Sequence, residues 1–149
     1  MESKEAKLVS GEEQDLIERK LLYAIGEIVS DVPVRLYYED LDTGVPNIAL
    51  GIIQGAYKVP GGEDILGGYE AQVQFKVIYK AQPKTNDTRL AMDEYLNQVG
   101  YRLEKYKLDL GAGRVFRKIQ LNARSAYFDR DDSGDEIHQI LMTMFYEVI

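Results

Sequence analysis

The sequence YEAQVQFKVIYK at residues 69–80 has the clearest strand pattern in the chain. Apolar or aromatic side chains occupy every second position, and mostly polar side chains occupy the positions between them. Because successive side chains of a strand point to opposite sides of the sheet, this alternation predicts a strand with one apolar and one largely polar face. The second face is expected to be exposed or to meet a neighbouring subunit.

A helix is predicted near the start of the chain. Ser10 stands three residues before Glu13, the spacing of a capping box, in which each side chain satisfies a backbone donor of the other residue. Apolar residues then recur at helical spacing within residues 12–29, at Ile17, Leu21, Ala24, Ile25 and Ile28. The predicted helix has one apolar face, and residues 1–9 are expected to form a flexible segment.

Two strands are predicted between this helix and residue 54. Alternation over residues 34–39 indicates the first strand, and the turn Asp42-Thr43-Gly44 ends it. Ile48, Leu50 and Ile52 indicate the second strand. Residues 54–68 contain five glycines and one proline, and this composition predicts a long loop or a projecting hairpin.

A second helix follows Pro83, with Asn86 or Asp87 as its predicted N-cap. Its apolar stripe is formed by Met92, Leu96, Val99, Leu103 and Tyr106. Gly100 is expected to weaken the helix only locally, by up to about 1 kcal/mol relative to alanine.

Two further strands are predicted after Gly111 and Gly113, which end the helical segment. They lie near residues 114–127 and 136–149. The acidic sequence DRDDSGD at residues 129–135 joins them as a hairpin connection.

The order of these elements defines an α+β fold. Short connections between consecutive strands favour a mainly antiparallel sheet, whereas the helix between the third and fourth strands allows a crossover and hence a mixed sheet. We expect both helices to cover one face of a single sheet. A chain of 149 residues, 45% of them hydrophobic, is expected to form a single domain over residues 1–149.

Composition narrows the classes of function. The net charge of −7 opposes direct binding of nucleic acid, because neutralisation of phosphates supplies most non-specific affinity. The chain contains no cysteine, which excludes disulfides, thiolate zinc sites and a cysteine nucleophile. The polar first 20 residues and the lack of a long apolar run predict that the chain is neither secreted through a signal peptide nor embedded in a membrane.

The acidic connection is the most suggestive candidate for a metal site. Asp129, Asp131, Ser133 and Asp135 occupy the odd positions of a calcium loop, and Gly134 occupies its sixth position. The twelfth position is Ile140 instead of a bidentate glutamate, and the flanking sequences indicate strands where an EF-hand has helices. A hairpin turn is therefore the preferred interpretation, and calcium binding is the alternative.

His138 is the single histidine and the candidate general base. Ser125 and Ser133 are near it in sequence, but neither lies in a nucleophile motif, so we interpret His138 as a solvent-facing strand residue.

The glycines at 61–62, 67–68, 111 and 113 lack the context of a phosphate-binding loop and are interpreted as turn residues. We thus expect no catalytic residue, metal or cofactor, and a protein that is not an enzyme.

Three stretches resemble the tail-terminator, or minor capsid, proteins of long-tailed bacteriophages: DVPVRLYYEDL at residues 31–41, YEAQVQFKVIYKA with DTRLAMDEYLNQVGYRLE at residues 69–104, and ARSAYFDRDDSGDEIHQILMTMFYEVI at residues 123–149. The resemblance implies an α+β subunit that forms a ring, commonly six-fold, on the last ring of tail-tube protein. It further implies that this ring stops tail growth and joins the head. The expected location is the tail–head interface of a virion made in the bacterial cytoplasm.

The resemblance also implies partners: further copies of this chain, tail-tube protein and a head-completion or connector protein. We expect the two loops to supply the contacts, through Tyr57, Lys58, Glu63 and Asp64 at the first and Asp129, Arg130, Asp131, Asp132 and Asp135 at the second. The alternatives are another tail-completion or head–tail connector protein, a small-ligand binding domain and a metal-assisted hydrolase that uses clustered acids.

Overall fold

The structure, a computed structural model, describes residues 7–30, 34–35, 46–63, 67–130 and 134–149. These segments form two helices and six strands. The helices are α1 (Gly11–Ile28) and α2 (Asn86–Lys105). The strands are β1 (Lys7–Leu8), β2 (Val34–Arg35), β3 (Asn47–Glu63), β4 (Tyr69–Ala81), β5 (Arg114–Arg130) and β6 (Glu136–Val148).

The described strands form one sheet in the order β1-β3-β4-β6-β5, with β2 beside β3. Neighbouring strands are antiparallel, except that β2 and β3 are parallel. The connection from β4 through α2 to β5 is a crossover, because β6 lies between those two strands. The predicted α+β class with a mainly antiparallel or mixed sheet is confirmed.

Strand β4 has the burial that its alternating sequence predicts. The side chains that enter the main core are Ala71, Val73, Phe75 and Val77. The opposite face is less uniformly polar than expected, because Ile78 packs with Ala49 and Ile137 in a second, smaller buried cluster. Strand β4 thus contributes buried side chains on both faces of the sheet.

Helix α1 begins where the capping pattern predicts. The Ser10 hydroxyl accepts a hydrogen bond from the backbone N–H of Glu13 at 3.3 Å. The Glu13 carboxylate does not complete the predicted capping box; it binds the guanidinium of Arg114 on β5. The buried face of α1 is formed by Ile17, Leu21, Ala24 and Ile25, as predicted.

Helix α2 begins at Asn86, so its N-cap lies at least one residue before the predicted N-cap. Its N-cap is Thr85, whose hydroxyl accepts from the backbone N–H of Thr88 at 3.2 Å, while the Thr88 hydroxyl accepts from the Thr85 N–H at 3.0 Å. The prediction of Asn86 or Asp87 as N-cap is wrong, because both residues lie inside the helix. The predicted apolar stripe is confirmed at Met92, Leu96, Val99 and Leu103.

Both helices pack on the same face of the sheet. Buried residues of α1 and α2 share one hydrophobic cluster with alternate residues of β3, β4, β5 and β6. Helix α1 packs over β2 and β3, whereas α2 packs over β5 and β6 and also touches α1. This arrangement confirms the predicted helix-covered face.

Gly100 has a packing role that its sequence context does not reveal. A Cβ at this position would lie 3.2 Å from both Ile140 Cδ1 and Leu121 Cδ1. The missing side chain therefore lets α2 approach β5 and β6 closely. Close packing, rather than helix propensity, explains glycine at this position.

Of the glycine-rich residues 54–68, residues 54–63 belong to β3 and pair with β4 within the sheet, so they do not form the predicted long loop. Strand β3 continues to Glu63 and β4 begins at Tyr69, whereas residues 64–66 lie outside the described part. Strand β5 is longer than predicted, so Asp129 and Arg130 belong to the strand and not to its connection. The strand predicted at residues 34–39 is described only at Val34–Arg35.

The predicted flexible segment, residues 1–9, is described from Lys7 onward. Lys7 and Leu8 form β1 beside Tyr57 and Lys58 of β3. Val9 is buried and its N–H donates to the Ala56 carbonyl at 3.1 Å. No helix in the described ranges has both the length and the apolar character needed to span a membrane.

Candidate assembly interface

The two loops predicted to make assembly contacts lie at opposite ends of the sheet. Strand β4 is aligned with β6 from Tyr69, which pairs with Val148, to Ala81, which pairs with Glu136. The β3–β4 hairpin end therefore lies beside the C-terminus, and the β5–β6 hairpin end lies beside Ala81. With about 3.3 Å per residue along a strand, the two ends are roughly 40 Å apart.

The candidate residues at the β3–β4 end differ in their exposure. Tyr57 is only 5% exposed, and its hydroxyl accepts a hydrogen bond from the Gln72 side chain, so little of it is available to a partner. Lys58 is half-buried, with its Nζ 4.7 Å from the ring centroid of Tyr69. Glu63 ends β3, and Asp64 lies outside the described residues.

The candidates at the β5–β6 end also divide into exposed and buried residues. Asp129 is exposed, and its carboxylate accepts from the Arg130 N–H at 2.8 Å. Asp135 is fully buried. Asp131 and Asp132 lie outside the described residues, as does Ser133, which the calcium hypothesis requires. In the described part, no three His, Cys, Asp or Glu residues are grouped so that they could hold a metal ion.

A network of polar side chains ties this end of the sheet to α2, and we call it the polar cluster. Its α2 members are Arg89, Asp93 and Asn97, and its sheet members are Ser125, Arg130, Glu136 and His138. Because these residues come from three separate elements, the cluster fixes the end of the β5–β6 hairpin against the helix.

Asp93 is the centre of one half of the polar cluster. Its Oδ1 accepts a hydrogen bond from the Ser125 hydroxyl at 2.6 Å and lies 2.7 Å from His138 Nδ1. The neighbouring Asn97 side chain accepts from the Ser125 backbone N–H at 2.7 Å. A carboxylate only accepts hydrogen bonds, so Nδ1 carries the proton in the contact with His138.

This arrangement is not that of a hydrolytic triad. In a triad the serine hydroxyl donates to the histidine, whereas the hydroxyl of Ser125 donates to Asp93. The prediction of a solvent-facing His138 is wrong: the side chain is 2% exposed, because Asp93 of α2 covers it. The histidine joins elements of the fold and does not activate the serine.

Glu136 is the centre of the other half of the polar cluster. Its Oε1 accepts from Arg89 Nε at 2.6 Å and from the Arg130 guanidinium at 2.8 Å, while its own side chain is 2% exposed. Burial acts to raise the pKa of Glu136, but hydrogen bonds from Arg130, Arg89 and His138 outweigh burial and hold that pKa below its ordinary value. Glu136 is thus a charged anchor for two arginines.

Sequence reasoning missed the α2 members of this cluster. Arg89, Asp93 and Asn97 recur every four residues, which places them on one side of the helix, next to the apolar stripe. A polar row at this spacing on a packed helix indicates side chains that need partners from the sheet. That regular spacing could have identified the cluster.

Large exposed apolar side chains occur on the same elements as the polar cluster. Tyr127 and Phe128 of β5 are 54% and 52% exposed, and Leu90 of α2 is 59% exposed. The Tyr127 ring meets the ring of His138 edge-on, with their centroids 6.0 Å apart, so its orientation is linked to the cluster. Large aromatic side chains held in place at a surface are typical of protein contact sites.

A second buried ion pair lies toward the β3–β4 end. Arg114 donates to both carboxylate oxygens of Glu13, at 2.8 and 3.0 Å from its Nε, and the Tyr146 hydroxyl donates to Glu13 Oε1 at 3.2 Å. Burial, together with the Glu13 charge, raises the pKa of Tyr146 well above its ordinary value. The group joins the start of α1 to β5 and β6.

Comparison with known proteins identifies a similar fold. No protein-family model and no curated protein sequence matches the chain. Among solved structures, the chain is similar to one from a structure described as "Virion of native gene transfer agent (GTA) particle", with a TM-score of 0.62 and 13% sequence identity. The match covers 93% of this chain and 99% of that chain, so the two share an overall fold.

Proposed function

We propose that this protein is a non-enzymatic virion component that caps the tail tube as a ring, ends tail elongation and presents the surface for head joining. The main support is the full-length similarity in fold to a chain of a gene transfer agent virion. The sequence resemblance of three stretches to tail-terminator proteins of bacteriophages also supports a virion component.

The separation of the two hairpin ends supports a capping role. A subunit that joins a tail tube to a head needs two contact surfaces that point in different directions. The β3–β4 and β5–β6 ends are roughly 40 Å apart on the sheet and can engage different partners. We assign tail-tube and head contacts to these ends, through Lys58, Glu63 and Asp64 at one and Asp129, Arg130, Asp131 and Asp132 at the other.

The polar cluster supports a defined orientation of the β5–β6 end. Arg89 and Asp93 of α2 hold Glu136 and His138 at the base of this hairpin. A contact surface that is already ordered loses less conformational entropy when it docks. Tyr127 and Phe128 then provide exposed area next to the charged tip.

The proposed ring requires contacts between different patches on adjacent copies, because only heterologous contacts close a ring of more than two identical subunits. Six copies are the expected number. Tail-tube protein and a head-completion or connector protein are the proposed neighbours. The proposed location is the tail–head interface of the virion, after synthesis in the bacterial cytoplasm.

The test is arrest of tail-tube growth. Tail-tube protein of the particle that encodes this chain is polymerised with and without the purified protein, and tube lengths are measured by electron microscopy. The proposal predicts shorter tubes with added protein and no further growth of capped tubes. Unchanged lengths, together with binding to isolated heads, would instead indicate a head-side connector.

A further inference from the structure

The charges of this acidic chain are strongly segregated. Residues 101–130 contain eight basic and three acidic residues, a net charge of +5, although the whole chain carries −7. This segment comprises the end of α2 and all of β5, which is the outermost strand on its side of the described sheet. It exposes Arg102, Lys105, Arg117, Lys118 and Arg124, which we call the basic flank.

Helix α1 has the opposite charge. It contains five acidic and two basic residues, and Glu12, Asp15 and Glu27 are exposed. Helix α1 packs over β2 and β3, whereas the basic flank belongs to β5 and to the helix that covers it. The two charged surfaces therefore belong to different elements of the subunit, although Arg114 of β5 reaches the buried Glu13 at the start of α1.

Two features of the β5 edge oppose pairing with a strand of another molecule. The register of β5 against β6 shifts at four places, and such bulges interrupt a regular edge. In addition, Glu104 and Asn97 of α2 accept hydrogen bonds from the outward N–H groups of Leu121 and Ser125. A partner of this edge is thus expected to contact charged side chains and not to add a strand.

We propose that the basic flank of one copy docks against the exposed carboxylates of α1 on the next copy. This contact is heterologous, as a ring requires, and it rests on the proposed ring function. Opposite charge on two patches of the same chain orients the subunits before they dock. Nucleic acid is the weaker candidate, since Glu147 already pairs with Arg117 and the net charge repels phosphate.

Two charge-reversed proteins test the contact. The flank variant carries Lys118→Glu and Arg124→Glu, and the helix variant carries Glu12→Lys and Asp15→Lys. Assembly is followed by native mass spectrometry, alone and on tail tubes. Each variant alone is expected to associate at least about tenfold more weakly than the wild type, because like charges then meet. An equimolar mixture is expected to assemble, since each variant supplies the charge that the other requires.

Assembly of the mixture distinguishes loss of the subunit contact from unfolding of the variants, because unfolded variants would not restore assembly to each other. Lys84→Glu with Glu94→Lys reverses exposed charges outside both surfaces and is expected to leave assembly unchanged. Rings formed by either variant alone would overturn the flank contact and leave the capping function intact. Loss of duplex DNA binding by the flank variant, with normal rings, would identify a nucleic-acid surface instead. Failure of the wild type to assemble even on tail tubes would contradict the proposed function itself.

Discussion

Asp93 on α2 and His138 on β6 are joined by a 2.7 Å contact between Asp93 Oδ1 and His138 Nδ1, although 45 residues separate them in the chain. The same oxygen accepts the Ser125 hydroxyl. One carboxylate therefore links the helix to two strands at the β5–β6 end. This connection ties the base of the β5–β6 hairpin to α2.

Asp93→Ala is expected to destabilise the protein by about 1 to 3 kcal/mol, because it leaves the buried His138 ring nitrogen and the Ser125 hydroxyl without their acceptor. Urea unfolding measures this change. Glu94→Ala, at the exposed neighbouring position, is the matched control and is expected to change stability by less than about 0.5 kcal/mol. Equal effects of the two substitutions would show that Asp93 is not an anchor.

Glu136→Gln is expected to reduce stability in a pH-dependent manner. The pKa of Glu136 is lower in the folded protein than its ordinary value of 4.5, so its stabilising contribution is fully present above that value and is lost as the pH falls through the lowered pKa. The stability gap between wild type and variant should be wide at pH 7 and should narrow below pH 4.5. A gap that stays constant in urea titrations from pH 7 to pH 3 would contradict this account.

Arg114→Met is expected to cost about 2 to 3 kcal/mol, because the Glu13 carboxylate, only 7% exposed, loses its charge partner. Arg117→Met is the control. Arg117 pairs with Glu147 at the surface, where its side chain is 60% exposed, so its removal should cost no more than about 1 kcal/mol. Thermal or urea unfolding compares the two. A larger loss of stability for Arg117→Met than for Arg114→Met would contradict the view that the buried Arg114–Glu13 pair is the stronger of the two.

Two helical glycines should respond oppositely to added side chains. Gly100→Val is expected to destabilise by about 1 to 3 kcal/mol, because its Cβ would already lie 3.2 Å from Leu121 and Ile140. Gly26→Ala has open space around it and should stabilise α1 by up to about 1 kcal/mol. Unfolding curves of the two variants provide the comparison, and a stabilising Gly100→Val would refute the close approach of α2.

Tyr127→Ser combined with Phe128→Ser is expected to weaken docking of the β5–β6 end by about tenfold or more while leaving the fold intact, because both rings are exposed in the free protein. Ile53→Ser, at a 49% exposed position of β3, is the control. Binding to isolated heads and to tail tubes is measured by co-sedimentation. Unaltered binding to both would exclude these rings from the contact.

Local sequence patterns predicted the parts of the fold that depend on near neighbours. Ser10 caps α1 through a residue three positions away, and the core side chains of β4 follow simple alternation. The order of the elements was sufficient for the α+β class. Thr85 was missed as a cap because its partner Thr88 is not the glutamate or glutamine usual at that position.

Long-range contacts were not predictable in the same way. His138 lies on a strand whose sequence gives no sign of α2 above it, so its burial depends on Asp93. The Glu13 carboxylate is likewise bound by Arg114, 101 residues later, and not by the adjacent backbone. Tyr57 and Asp135 were predicted to supply contacts at the two loops, but strand pairing buries Tyr57, and Asp135 is also buried. Position near a turn is a weak guide to exposure.

Copies of this chain are proposed to form a closed ring on the end of a tail tube. The most direct measurement is electron microscopy of purified, uncapped tail tubes incubated with the protein, with image averages calculated for the tube ends. One additional ring of density is expected at one end of each tube, with six-fold symmetry and the mass of six 17.0 kDa subunits. Bare tube ends at saturating protein concentration, or protein bound along the tube walls, would contradict it.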